Sequence, residues 1–218
     1  MTKATTTTSD APSYAFRVGI TGGIGSGKSY ICRQLEAYGH HVFYCDEVAK
    51  HIIRTHPAVK CELQQLVGNE VYDAEGRLVK SVLAAYLCRG KAYSRRVDAI
   101  VHPRVAEAFE QFCRDTCPNV QKGTKLILNV DHNKQIAYQQ LQALPPSSTV
   151  FMECALLFES GFDRLVNTSV LVHVSHATQL ARLMARDHIS REKALSWMAL
   201  QLSEEEKMQR AFAILPNE

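Results

Sequence analysis

The sequence predicts an α/β protein in three layers, a parallel sheet with helices on both faces. Three observations lead there. Short apolar runs alternate with amphipathic stretches, as strands joined by helical crossovers require. A glycine-rich turn stands between the first apolar run and the first amphipathic stretch. The length, 218 residues, suits one such domain with room for a small insertion.

Residues 1–14 read as a disordered tail, polar around Thr5-Thr6-Thr7-Thr8-Ser9-Asp10 and with Lys3 the lone basic residue before Arg17. Nothing there resembles the apolar segment of a secretory leader. Residues 15–218 read as a single domain. Phe16–Ile20 is its first strand, and Ser29–Tyr38 its first helix, closed by Gly39 in the role of a C-terminal cap. His41–Tyr44 is the second strand. Helical patterns follow over Glu47–Ile53, Ala58–Val67, Lys80–Cys88, Ser94–Val101 and Arg104–Asp115. The last two are separated at His102-Pro103-Arg104, where Pro103 fits the start of a helix. Residues from about 58 to 115 form a helical substrate region. Pro118 to Ser148 reads as an insertion, built from Leu126-Ile127-Leu128, Asp131-His132-Asn133-Lys134 and Pro145-Pro146. It suits an extra strand or hairpin and an extra helix. Val150–Cys154 and Ser169–Val174 are further strands, and Ala177–Asp187 and Arg191–Leu202 further helices, set in a lid over about 177–207. Ala211–Leu215 can begin a last strand.

Composition narrows the function. Hydrophobic content of 46% and charged content of 22% are those of a globular protein. A net charge of +3 is too mild to argue for a nucleic-acid surface. No apolar run reaches the roughly 18–20 residues of a membrane span. Seven cysteines, an odd number without a C-x-x-C pair, read as reduced thiols of a cytoplasmic protein. Cys113 and Cys117 can share a helix face but lack nearby histidines, which makes a poor metal site.

The segment Gly22-Gly23-Ile24-Gly25-Ser26-Gly27-Lys28-Ser29 fits the phosphate-loop pattern G-x-x-x-x-G-K-[ST] between a strand and a helix. Its glycines let successive backbone N–H groups turn inward onto phosphate oxygens, and the helix N-terminus adds partial positive charge. Lys28 then reaches the β/γ-phosphates, and the Ser29 hydroxyl is placed to ligate Mg²⁺. The chain is expected to bind a nucleoside triphosphate. The second strand should deliver Asp46 to the same edge of the sheet, either as proton acceptor for an attacking hydroxyl or merely as a helix cap. Glu153 ends another strand and is the candidate acid near Mg²⁺, its rival being a buried polar contact. Glu159 lies over an acceptor site or starts a solvated loop. Arg182 and Arg186, four apart on one helix face, suit a basic lid, with Arg191, Lys193, Lys207 and Arg210 nearby; a plainly solvated face is the alternative. His102 and Arg104 can bind an acceptor or mark a helix boundary.

These segments taken together resemble the dephospho-coenzyme A kinase family. The family's T-G-G-I-G-S-G-K-S stands at Thr21 to Ser29, and its short acidic motif at Cys45-Asp46 before Glu47-Val48-Ala49-Lys50. Its I-x-H-P-x-V element is Ile100 to Val105, and its strand ending in L-L-F-E is Val150 to Glu159. Its lid helix is Gln179 to Asp187 with Ser190-Arg191-Glu192 beyond, and its Q-x-S-x-E-E-K element is Gln201 to Lys207. The resemblance implies ATP- and Mg²⁺-dependent phosphorylation of the ribose 3′-hydroxyl of dephospho-coenzyme A, a small-molecule acceptor. It implies Asp46 as general base, and Lys28 with the backbone from Gly25 to Tyr30 on the ATP phosphates. Arg182 and Arg186 would act on the transferring group, and His102 and Arg104 toward the coenzyme substrate.

The chain departs from the family pattern in places. Tyr44 stands where many relatives carry a first aspartate, Glu153 where Asp is usual, and Ala155 where they have proline. Trp197 replaces a basic residue, which implies one phosphate contact fewer. The pattern normally runs on through an Asn-Gly turn beside the adenine and a last helix. Ending at Glu218 implies either a fold without that helix, less stable or altered in nucleotide affinity, or a truncated product. Two other functions remain consistent with the residues: a phosphate-loop kinase for another hydroxylated acceptor, such as a nucleoside or nucleotide, and a nucleotide-binding module without turnover.

Overall fold

A computed structural model describes residues 15–118, 120 and 128–218. The expected tail over 1–14 and the residues Leu126 and Ile127 lie outside them. Strand β1 (Phe16–Thr21) leads through the glycine-rich turn into α1 (Lys28–Ala37), then β2 (His41–Tyr44) and α2 (Cys45–Thr55). Helices α3 (Pro57–Val67), α4 (Lys80–Leu87) and α5 (Lys91–Thr116) follow, and then a short α6 (Tyr138–Gln142). The chain continues with β3 (Thr149–Glu153), β4 (Thr168–His173), α7 (His176–Asp187), α8 (Arg191–Met198), α9 (Glu204–Arg210) and β5 (Ala213–Pro216).

The five strands form one sheet in the order β2-β3-β1-β4-β5, every pairing parallel. The expected three layers are present, because alternate strand residues feed two different cores. Val18, Ile20 and Phe151 point into one, shared with Ile31, Cys32 and Leu35 of α1 and Leu141 of α6. Val150 and Met152 point into the other, shared with Ile52, Val59, Leu63, Leu83 and the long face of α5. Parallel pairing puts the carboxyl ends of all strands on one edge, where ligands of such sheets gather.

Helix α5 corrects the expected break at His102-Pro103-Arg104. It is one helix of 26 residues with Pro103 inside it. A proline in a helix interior costs about 3 kcal/mol by removing a hydrogen bond and crowding the preceding turn. The offset is packing: Val97, Val101, Val105, Phe109 and Cys113 are buried at every fourth position straight through the proline, each such side chain contributing about 1.5–3 kcal/mol. Arg17 of β1 ties the helix to the sheet, its guanidinium gripping Glu110 through both carboxylate oxygens.

The lid helices also differ from expectation. The second ends at Met198, and a separate helix starts after Ser203, whose hydroxyl and the Glu206 carboxylate form a reciprocal capping box. That local cap outcompetes a continuous pattern through Leu202. In the insertion, α6 supplies the extra helix. The backbone of 134–136 meets the sheet beside β5, with Ile214 N donating to Lys134 O at 2.7 Å and Ile136 N to Ile214 O at 2.9 Å.

Candidate active site

The turn between β1 and α1 needs its glycines for shape. Gly25 and Gly27 have φ of 84° and 89°, left-handed values that a side chain strains by about 1–2 kcal/mol. No side chain caps the first turn of α1. The N–H groups of Gly25, Gly27, Lys28 and Ser29 donate to no described residue, so they are available as donors to a ligand. The N–H groups of Ser26 and Tyr30 are instead used within the turn, donating to Gly23 O at 3.1 Å and Gly27 O at 3.0 Å. Tyr30, with its side chain on the surface, therefore leaves the expected cradle. The buried Ser26 hydroxyl has no hydrogen-bond partner among the described residues. Such a cradle fits the oxygens of a polyphosphate.

Lys28 is buried and donates to Gly23 O at 3.1 Å. Burial lowers its ammonium below the ordinary lysine range, the Glu153 carboxylate pulls it back, and the Lys207 ammonium pushes with burial. Glu153 ends β3 and is also buried. Burial raises its carboxyl, Lys28 opposes, Asp46 and Glu47 reinforce the rise, and the nearby Ser29 hydroxyl opposes it. Ser29 and Glu153, both expected near Mg²⁺, are thus close enough to influence each other. A buried carboxylate surrounded by further acids gains from a cation. No group of three or more His, Cys, Asp or Glu among the described residues is arranged to hold a metal by itself. The corner therefore fits an ion that takes one carboxylate and a hydroxyl and completes its shell with phosphate oxygens and water, as Mg²⁺ does.

The β2–β3 register pairs Tyr44 with Glu153, so the residues just beyond them stand side by side. Asp46 lies there in the first turn of α2, and its exposed carboxylate is ion-paired to Lys50. It is not a cap: the N-cap position is Tyr44, with no side-chain cap bond. In the next-door position, the neighbouring Cys154 thiol and burial hold the Cys45 thiol far above the ordinary thiol range. Every described cysteine is a free thiol.

Helix α7, capped by Ser175 onto Thr178 N, lies across the loop. A Cβ on Gly25 would stand 2.8 Å from Gln179 O, and one on Gly27 3.9 Å from Nη1 of Arg182. Arg182 is therefore at the loop, with Nη1 donating to Asn217 O at 3.0 Å. Arg186 is not brought there; it forks onto Asp187 at 3.0 and 2.7 Å. Trp197 packs against the cluster of Leu180, Leu183 and Ala194, so its place in the lid is structural.

A cleft of about 480 Å³ opens between α5 and the 159–165 turn. His102 and Glu159 both line it, as their sequence positions led one to expect. The His102 ring lies 5.1 Å from that of Phe162, and its Nε2 3.5 Å from Asp98. Arg104 is not in the wall and pairs with Glu107 at 3.0 Å. Arg95, Asp98 and Arg164, which the sequence reading missed, are. Arg95 and Asp98 share the face of His102 only when α5 is read as unbroken.

Comparison with known proteins identifies the relatives of this chain. A family model described as dephospho-CoA kinase matches residues 16–122 and 125–218. A dephospho-CoA kinase of Bacteroides fragilis is 34% identical over 94% of this chain and 85% of its own length. One of Salinibacter ruber is 31% identical over 92% and 88%. A crystal structure from Thermus thermophilus superposes with a TM-score of 0.68 at 27% identity, covering 94% of this chain and 90% of that one. A dephospho-CoA kinase from Campylobacter jejuni shares the fold, with a TM-score of 0.58 at 20% identity over 92% and 87%. Matched along nearly its whole described length, the chain belongs to the dephospho-CoA kinase family.

Proposed function

We propose that this chain transfers the γ-phosphoryl group of ATP to the ribose 3′-hydroxyl of dephospho-coenzyme A, giving coenzyme A and ADP, the last step of coenzyme A biosynthesis. Family membership supports the reaction. The observation that carries the mechanism is the register of Tyr44 with Glu153, which sets a solvent-accessible carboxylate, Asp46, beside the Ser29–Glu153 corner of the phosphate cradle.

Lys28 and the inward N–H groups of the loop hold the β- and γ-phosphates. Asp46 takes the proton from the 3′-hydroxyl as its oxygen attacks the γ-phosphorus, and the bond to the ADP oxygen breaks. Mg²⁺, held by Ser29 and Glu153, would supply charge neutralisation at the phosphate oxygens. Arg182 adds a cation from the lid, and Arg186 joins it by exchanging Asp187 for phosphate on closure. His102 and Glu159 form the acceptor wall; Arg104, outside the cleft, steadies α5 through Glu107. Among the described residues no helix is long and apolar enough to cross a membrane, consistent with a cytoplasmic reaction on small molecules.

Replacing Asp46 by Asn tests this. Turnover is expected to fall by about 10²–10⁴-fold with the affinity for an ATP analogue unchanged; turnover equal to wild type removes Asp46 from the mechanism.

A further inference from the structure

Lys207 is 1% exposed, unusual for a lysine that the sequence places in a basic lid. Its ammonium donates to Gln201 Oε1 at 3.4 Å. The same oxygen accepts from the backbone N–H of Ile24, 2.9 Å away and inside the phosphate loop. The N–H of Ile24 and the carbonyl of Gly23 belong to one planar trans peptide and point in opposite directions. On the far side of that peptide, Gly23 O accepts from Lys28 Nζ and from Ser26 N, each at 3.1 Å. Gripping one side of the peptide therefore aims the other side at the phosphate-binding lysine.

We propose that Gln201 and Lys207 are positioning residues for phosphoryl transfer, fixing the Gly23–Ile24 peptide and, through its carbonyl, the Lys28 ammonium.

The surroundings of Lys207 suit that task. Its charge interacts with Glu159 and Glu204; Glu204 is in turn held by Nδ1 of His173 at 2.8 Å. The backbone next to Gln201 is tied down as well, since Leu202 N donates to Glu159 Oε1 at 2.9 Å. Glu159 also lines the acceptor cleft. The grip on the loop is thus anchored to the cleft wall. A lysine retained only to fill space would have no reason to share one oxygen with a phosphate-loop amide. The clamp rests on the kinase reading for its consequence in turnover, but its consequence for nucleotide binding does not.

The test uses the full chain with Gln201→Leu, Lys207→Met, the double variant and Lys207→Arg. Affinity for a non-hydrolysable ATP analogue is read by calorimetry, turnover with dephospho-coenzyme A in a coupled assay, and folding by thermal melting. Each single loss is expected to weaken analogue binding about tenfold, the worth of one charge-assisted hydrogen bond. The double variant is expected to be no worse than the poorer single, because both act through one oxygen. Lys207→Arg should recover most of the affinity, kcat should fall, and KM for the acceptor should stay within about twofold. Wild-type affinity and kcat in folded variants overturn the proposal, as do losses that multiply independently. If Lys207→Met does not fold, Gln201→Leu, at a half-buried position, decides the matter alone. Wild-type protein inactive on dephospho-coenzyme A but showing the binding pattern would refute the reaction and keep the clamp.

Discussion

Alanine at position 23 and alanine at position 25 should disturb the seat of α7 on the phosphate loop in different ways. At Gly23, φ lies outside the left-handed region, and the obstacle is a Cβ landing 2.0 Å from Nε2 of Gln179 and 2.9 Å from its Cδ. The amide must retreat by roughly 1.4 Å to reach ordinary contact. Its nitrogen has no hydrogen-bond partner among the described residues, so the movement breaks no bond there and costs about 0.5–1.5 kcal/mol in rotamer strain. At Gly25, φ is +84° and the Cβ meets the backbone oxygen of Gln179 at 2.8 Å. Left-handed strain of about 1–2 kcal/mol adds to a clash that only a shift of the helix relieves, for a total of about 2–3 kcal/mol. Thermal melting should show a drop of about 2–4 °C for Gly23→Ala and about 5–10 °C for Gly25→Ala. Adding Gln179→Ala separates them. It should bring Gly23→Ala back to within about 0.5 kcal/mol of Gln179→Ala alone and do nothing for Gly25→Ala. Rescue of both, or of neither, would show that α7 does not lie on the loop as described.

Two further outcomes follow from the same geometry. Arg182→Ala should lower kcat/KM for ATP by about 10²-fold and Arg186→Ala by clearly less, since Arg186 is forked onto Asp187; steady-state rates giving equal losses would contradict the difference. His40 donates from Nε2 to Gln142 O at 3.1 Å, leaves Nδ1 buried without a partner among the described residues, and is held below the ordinary histidine range chiefly by burial. Below pH about 6.5 the unfolded chain takes a proton that the folded ring refuses, so stability falls as pH falls, by up to about 1.4 kcal/mol per pH unit. Melting of wild type and His40→Gln from pH 7.5 to 5 should show the flatter slope in the variant; parallel slopes would remove His40 as the cause.

What could be read in the sequence was local. Gly22 to Ser29 carry their chemistry in eight consecutive positions, and the strand endings at Tyr44 and Glu153 follow from short apolar runs. The helix through Pro103 was not legible, because the proline's cost sits in one turn while the burial that outweighs it comes from segments far along the chain. Misreading that helix hid Arg95 and Asp98, which share its face with His102. Lys207 looked like one more exposed lid cation. Its hydrogen-bond partner is Gln201, whose contact with Ile24 spans 177 positions and has no spacing signature. Asp187, one residue from Arg186, was visible all along; that it would capture the guanidinium depended on side-chain geometry.

The reaction itself is tested most directly by a coupled assay of ADP release with ATP, Mg²⁺ and dephospho-coenzyme A, run beside nucleoside and nucleotide acceptors, with the phosphorylated position identified in the product. Fast release with dephospho-coenzyme A alone, and phosphate on the ribose 3′-oxygen, is the expected result. Equal rates with nucleosides, or nucleotide binding without release for every acceptor, would contradict it.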